Sequence, residues 1–185
     1  MVPQNFRFTF KLSKSISHSK GLEFNAGDVR LFVQTINNVE HKKGCILIQF
    51  PPSLKPEKIK QVKELFTAIV SVNAEHAWKV AVEFRSNLWY TDETFKLLQQ
   101  YNFSLVLHDL PASATPLLPQ EDLVYLRFHG TEKGYRGSYD NTVLKAYAER
   151  IRQWTSEGKL VYCYFNNTLG SAFENLQALR CSIVP

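Results

Sequence analysis

Short apolar runs alternate with longer amphipathic stretches along almost the whole chain. The runs are FRFTFKL (6–12), CILIQF (45–50), KVAVEF (79–84), FSLVLHD (103–109), LVYLRFHG (123–130) and LVYCYFNN (160–167). Their length and β-branched or aromatic content predict strands. Helical patterns lie between them, near 27–40, 56–72, 91–101, 140–157 and 170–180. Pro56 suits a first helical turn, and Thr91 or Asp92 suits an N-cap. The stretch PASATPLLPQ (111–120) reads as loop. Strand–helix alternation of this kind implies an α/β fold with parallel strands joined by crossover helices. No linker, repeat or low-complexity tract interrupts it, so the expectation is one domain over 1–185.

Parity along the strands narrows the architecture. Phe6, Phe8, Phe10 and Leu12 share one face of their strand, with Arg7, Thr9 and Lys11 on the other. Val80, Val82 and Phe84 oppose Ala81, Glu83 and Arg85. Val124, Leu126 and Phe128 oppose Tyr125, Arg127 and His129, and Val161, Cys163 and Phe165 oppose Tyr162, Tyr164 and Asn166. A doubly wound sheet, covered by helices on both faces, has near-continuous apolar strands. Here one face is apolar and the other turns polar toward each strand's C-terminal end. A (β/α) barrel of TIM type predicts that pattern, with a site at the C-terminal mouth.

Gathering the interior positions gives Arg7, Lys11, Gln49, Glu83, Arg85, His108 or Asp109, Arg127, His129, Tyr164 and Asn166. Four cations face one or two carboxylates, and buried charge is costly unless compensated. A small anionic ligand would compensate it, and arginines present planar forks that suit phosphate or carboxylate. In this reading Arg85 and Arg127 hold the anion with Lys11 assisting, and Asp109, Tyr164 and Asn166 also line the ligand. Glu83 and His129 are the proton-transfer pair, since imidazole titrates near neutral pH. The competing reading is structural: Glu83 and Asp109 pair with the arginines and merely staple the interior. The loops GTEKGYRG (130–137) and NTLGSA (167–172) add weak support for phosphate, without the spacing of any nucleotide-binding fingerprint. No ligand spacing supports a metal, and the sequence names no cofactor and no oligomeric state.

Composition adds bounds. The chain has 185 residues, 44% hydrophobic and 21% charged, which excludes a disordered or fibrous protein. No run reaches the roughly 18 apolar residues of a membrane span. Cys45, Cys163 and Cys181 form no metal spacing or even disulfide set, which points to a reducing cytoplasm. The net charge of +5 divides unevenly: residues 1–63 hold 11 basic against 4 acidic side chains, giving +7, and the remainder carries −2. A basic segment can attract nucleic acid or an acidic partner, which gives a second class of function, a binding module. Against it, Lys55, Lys58, Lys60 and Lys63 read as a solvated helix face with no interleaved aromatics.

Several stretches resemble the domain-of-unknown-function 72 (YecE-like) family: VPQNFRFTFKLSKSISH (2–18), LIQFPPS (47–53), AVEFRSNLWY (81–90), Asp109-Leu110-Pro111, YLRFHG (125–130) and YCYFNNTLGSAFENLQAL (162–179). They follow the family's order over nearly the whole chain. The resemblance implies a TIM-barrel type fold but no reaction, because a barrel hosts many chemistries. Two departures stand out. Ser86 occupies a place where relatives usually carry His, and the family's first two strand–helix units have no counterpart. The expectation is therefore an incomplete barrel holding the third to eighth strands, a truncated product or internal start. Strands 6–12 and 160–167 would flank an open seam, and an inactive product is a third reading.

Overall fold

The computed structural model describes residues 2–74, 77–116 and 122–183. They fall into two compact units, one ending at Leu105 and the other beginning at Val106. The N-terminal unit contains β1 (Phe8–Lys11), the short α1 (Lys14–Ser17), α2 (Ala26–Ile36), β2 (Lys43–Gln49), α3 (Ile59–Val72), β3 (Lys79–Glu83) and α4 (Asp92–Gln100). Strand β4 (Ser104–His108) begins in it. β1 pairs parallel with β2, β2 with β3, and β3 with the first two residues of β4.

Local sequence explains these elements. β2 is apolar on both faces, and Cys45 to Ile48 are all buried. α3 presents Val62, Leu65, Phe66 and Ile69 as one buried stripe at helical spacing. Asn25 caps α2 by accepting from the Gly27 N–H at 2.7 Å, and Thr91 caps α4 by accepting from the Thr94 N–H at 3.3 Å. Pro56 opens a 3₁₀ turn ahead of α3, where its missing N–H costs nothing. Helix α2 ends at Ile36, before the expected 40, because a 3₁₀ segment follows in which Glu40 takes a left-handed φ of 53°. Trp78 and Trp89 are fully buried, and their indole N–H groups donate to Asn37 Oδ1 and the Leu54 carbonyl.

The C-terminal unit holds the last three residues of β4, then β5 (Leu123–Phe128), α5 (Asn141–Ser156), β6 (Leu160–Phe165) and α6 (Ala172–Ile183). β4 pairs parallel with β5, and β5 with β6. The parity expected from the sequence holds here. Val124, Leu126 and Phe128 pack with Leu144, Ala148 and Ile151 of α5 and Leu179 of α6, joined by Val161, Cys163 and Phe165. Tyr125, Tyr162 and Tyr164 meet one another instead, with Tyr125 and Tyr164 stacked at 4.9 Å. In each unit the strands are parallel and neighbour one another in chain order, as in a β/α barrel.

One site expectation needs adjusting. Arg7 precedes β1 rather than lying within it; its side chain is exposed and donates to the carbonyls of Gln4 and Phe6. The last part of the expected 111–120 loop, 117–120, lies outside the described residues. Among the described residues β1 has one ladder partner, β2, and β6 has one, β5; no residue of either strand is buried. Cys45 and Cys163 sit in strands, and burial pushes the Cys163 thiol up to about 12, which fits small hydrophobes and not nucleophiles.

Candidate functional site

In the N-terminal unit, Lys11, Gln49 and Glu83 are the last residues of β1, β2 and β3. Strand register sets Gln49 opposite Glu83, and alternation aims their side chains and that of Arg85 to one face. The Glu83 side chain is fully buried and forms an ion pair with Arg85 Nε, whose side chain is 12% exposed. Gln49 Oε1 accepts from Lys11 Nζ at 2.8 Å and from Arg85 Nη2 at 3.4 Å. Two cations thus converge on one uncharged oxygen. On the loop after β3, Lys55 Nζ reaches Ser86 Oγ at 3.4 Å.

His18, which lies just past a single helical turn, reports the local field. Burial holds its imidazole below the ordinary value, and the nearby charges of Lys11, Lys14 and Arg85 push it lower still. Its Nδ1 lies 2.9 Å from Ser17 Oγ. The segment SKSISH that follows β1 therefore returns a titratable group to the cationic end of that strand. No periodicity marks it, because it forms only one helical turn.

The C-terminal unit builds a different arrangement at the ends of β4, β5 and β6. Asp109 Oδ1 accepts the His129 backbone N–H at 2.7 Å and lies 3.4 Å from His129 Nδ1. Asp109 Oδ2 accepts the Tyr139 hydroxyl, which in turn accepts the Gly130 N–H at 2.6 Å. Burial alone would raise the Asp109 carboxyl, but the bonds from His129 and Tyr139 outweigh it and hold the carboxyl below its usual range. Burial and the Asp109 charge push the Tyr139 phenol upward, so it remains a donor. His108 Nδ1 accepts the Leu110 N–H at 3.3 Å, and its ring meets that of His129 edge-on at 5.7 Å.

Beside this network, Arg127 Nε donates to Asn166 Oδ1 at 3.0 Å, joining the two side chains read from the sequence as ligand contacts. Tyr164 stacks on Tyr125. The loops that follow β5 and β6 are locked together. Asn167 Nδ2 donates to the Gly137 carbonyl and to Asn175 Oδ1, at 3.1 and 3.0 Å. A Cβ on Gly170 would collide with the Gly137 backbone, so this crossing requires glycine. Strand parity could flag Arg127, His129 and Asn166. It could not flag Tyr139, which lies in a loop just before the Asp140 cap of α5.

These strand-end side chains on chain-ordered parallel strands define a parallel α/β protein, without naming a reaction. Residues 1–183 match the family described as "Protein of unknown function DUF72", and the chain belongs to that family. A DUF72 family protein from Thermotoga maritima MSB8 is 27% identical, with a TM-score of 0.79 over 96% of this chain and 73% of that one. A second, from Enterococcus faecalis V583, is 22% identical and shares the fold, with a TM-score of 0.78 over 97% of this chain and 79% of that one. No curated protein matches the chain. No helix among the described residues is long and apolar enough to cross a membrane.

Proposed function

We propose that the chain binds a small anion, bearing phosphate or carboxylate, at the C-terminal ends of the strands in its N-terminal unit, with Lys11 and Arg85 as the anchoring cations. The observation that carries this is their convergence on Gln49 Oε1. The Gln49 amide gathers both cations at the ends of their strands, where an anion would meet them together. Glu83 pairs with Arg85 and fits the role of orienting its guanidinium fork toward that ligand. In the C-terminal unit, Arg127 with Asn166 and Tyr164 forms a polar set suited to ligand contact, and His129 is the proton-transfer group of this reading. Asp109 has both carboxylate oxygens engaged and fits the role of holding His129.

The test is thermal unfolding of the chain in increasing inorganic phosphate at constant ionic strength. Binding to the folded state stabilises by RT ln(1 + [L]/Kd), about 2.7 kcal/mol at a hundredfold excess over Kd. Lys11→Gln should remove most of that shift, and phosphate should let His18 protonate at higher pH by offsetting Lys11, Lys14 and Arg85. If neither phosphate nor a panel of small carboxylates raises the transition, the anion reading is lost. Nucleic-acid binding that follows Lys58, Lys60 and Lys63 and collapses with salt would replace it by the binding-module reading.

A further inference from the structure

We propose that the anion taken up in the N-terminal unit is the phosphoryl group of a phosphomonoester, and that Lys55 and Ser86 form the contact that selects it over a carboxylate. This rests on the anion reading above and deepens it: Lys11 and Arg85 anchor either anion, whereas Lys55 and Ser86 decide between them.

The loops that carry these two residues leave from neighbouring strand ends and come back to one another. The loop after β2 departs just past Gln49, on which Lys11 and Arg85 converge, and leads to Lys55. There the Lys55 ammonium donates to Ser86 Oγ at 3.4 Å, and Ser86 is the residue that follows Arg85. The placement is built from beneath. Trp89 is fully buried, and its indole N–H donates at 2.9 Å to the carbonyl of Leu54, the residue before Lys55. Phe84 stacks on Trp89 at 4.6 Å and on Phe50 at 5.4 Å, so one aromatic column supports both loops. The Trp89 backbone N–H donates to the Ser86 carbonyl at 3.2 Å and closes the turn that presents the serine.

The donors gathered here differ in kind, and that difference names the ligand. Ser86 is 6% exposed, and its hydroxyl accepts from Lys55, which leaves the serine proton to donate. Lys55 is exposed and forms no ion pair among the described residues. A carboxylate has two oxygens, and a single arginine fork engages both. A phosphomonoester has three terminal oxygens and carries about −1.5 to −2 charge at pH 7. Its third oxygen is the one that a hydroxyl donor and an ammonium, held together beside Arg85, are placed to meet. Lysine serves phosphate as a point charge, so the Lys55 contact asks for charge more than for planar geometry. The field at His18 suits the same ligand. After burial, it is Lys11, Lys14 and Arg85 that depress this imidazole, and a dianion offsets more of that cationic field than a monoanion. The assignment is one of recognition, and no bond of the ester is broken in it.

The experiment is isothermal titration of the full chain at matched ionic strength, about pH 7.5, above the second phosphate ionisation. The probes are glycerol phosphate, dimethyl phosphate and acetate. The first is a monoester dianion, the second keeps the phosphorus but is a monoanion with two terminal oxygens, and the third is a carboxylate. Glycerol phosphate should bind about tenfold more tightly than either of the others, the effect of one charge-assisted hydrogen bond. Lys55→Gln should bring all three probes within about threefold of one another while leaving acetate within about twofold of its original affinity. Ser86→Ala should weaken glycerol phosphate about fivefold and also spare acetate. Lys55→Gln, at an exposed position, carries the test alone if Ser86→Ala does not fold. Equal affinity for glycerol phosphate and either other probe, or a preference that survives both substitutions, would overturn the proposal and leave an anion site standing. Binding of none of the three would overturn it together with the anion reading, so the two failures are told apart.

Discussion

Two carboxylates, each at the end of a parallel strand, are neutralised in opposite ways. Glu83 at the end of β3 meets a full positive charge, the Arg85 guanidinium. Asp109, just past β4, meets a backbone N–H, a phenol and an imidazole. The first arrangement gathers charge, because Lys11 joins Arg85 on Gln49. The second gathers a backbone N–H and a phenol on one carboxylate. The lesson is that charge count and hydrogen-bond saturation distinguish two kinds of strand-end site. One gathers cations at the strand ends, and the other sets a carboxylate beside an imidazole.

The comparison is broken most forcefully at Glu83. Removing one partner of a buried ion pair strands the other, and such losses run to about 3–5 kcal/mol. Glu83→Ala is expected to fall in that range by denaturant unfolding, since Glu83 is fully buried and Arg85 nearly so. A loss under about 1 kcal/mol would mean that the pair is solvent-screened and that Arg85 needs no orienting partner.

Asp109 should respond less in magnitude but more in pH. Its carboxyl lies below the usual range in the folded chain, so it contributes stability at neutral pH. That contribution is complete above the unfolded value near about 4 and is lost as pH falls through the lower folded value. Asp109→Asn should flatten this acid limb and cost about 1–3 kcal/mol at pH 7, as expected for disturbing buried hydrogen-bond partners. An unaltered acid limb would show that other carboxylates govern it. Tyr139→Phe should cost less, about 1 kcal/mol, because it removes one hydroxyl that joins the Gly130 N–H to Asp109. Matched melts of the single and double variants at Tyr139 and Asp109 would show whether the two costs fail to add, as they should within one network.

Much of the fold was legible because period-2 parity survives burial. Val124, Leu126 and Phe128 face the helices while Tyr125 and Arg127 do not, as written in LVYLRF. Strand β2 carried no such information: KGCILIQ is buried on both faces over its centre, so its apolar run fixes the element but not its orientation. The candidate site was legible only where it lies on strands. Lys11, Glu83, Arg127 and His129 follow from alternation at or near strand ends. Tyr139 and His18 lie in a loop or a single helical turn, where no period exists and position is decided by bonds to distant residues. Arg7 marks the converse error, in which parity was extended one residue beyond the point where pairing begins.

The smallest expected effect is the sharpest test of the two gathered cations in the N-terminal unit. Lys11 is the exposed end of β1, and its ammonium shares Gln49 with Arg85. If the two cations are there to staple the strands, Lys11→Gln loses a cross-strand bond and should destabilise the chain by about 1 kcal/mol. If they are held together for a ligand, the same substitution relieves like-charge repulsion while breaking that bond. The two then nearly cancel, leaving stability in low-salt, anion-free buffer within about 0.5 kcal/mol of the original. The salt response separates the cases further. Screening should stabilise the original chain relative to Lys11→Gln as ionic strength rises with a non-coordinating salt, because only the original carries the repulsion. Parallel melts of both chains across salt, before any phosphate is added, would decide between a staple and a pair of cations held for a ligand.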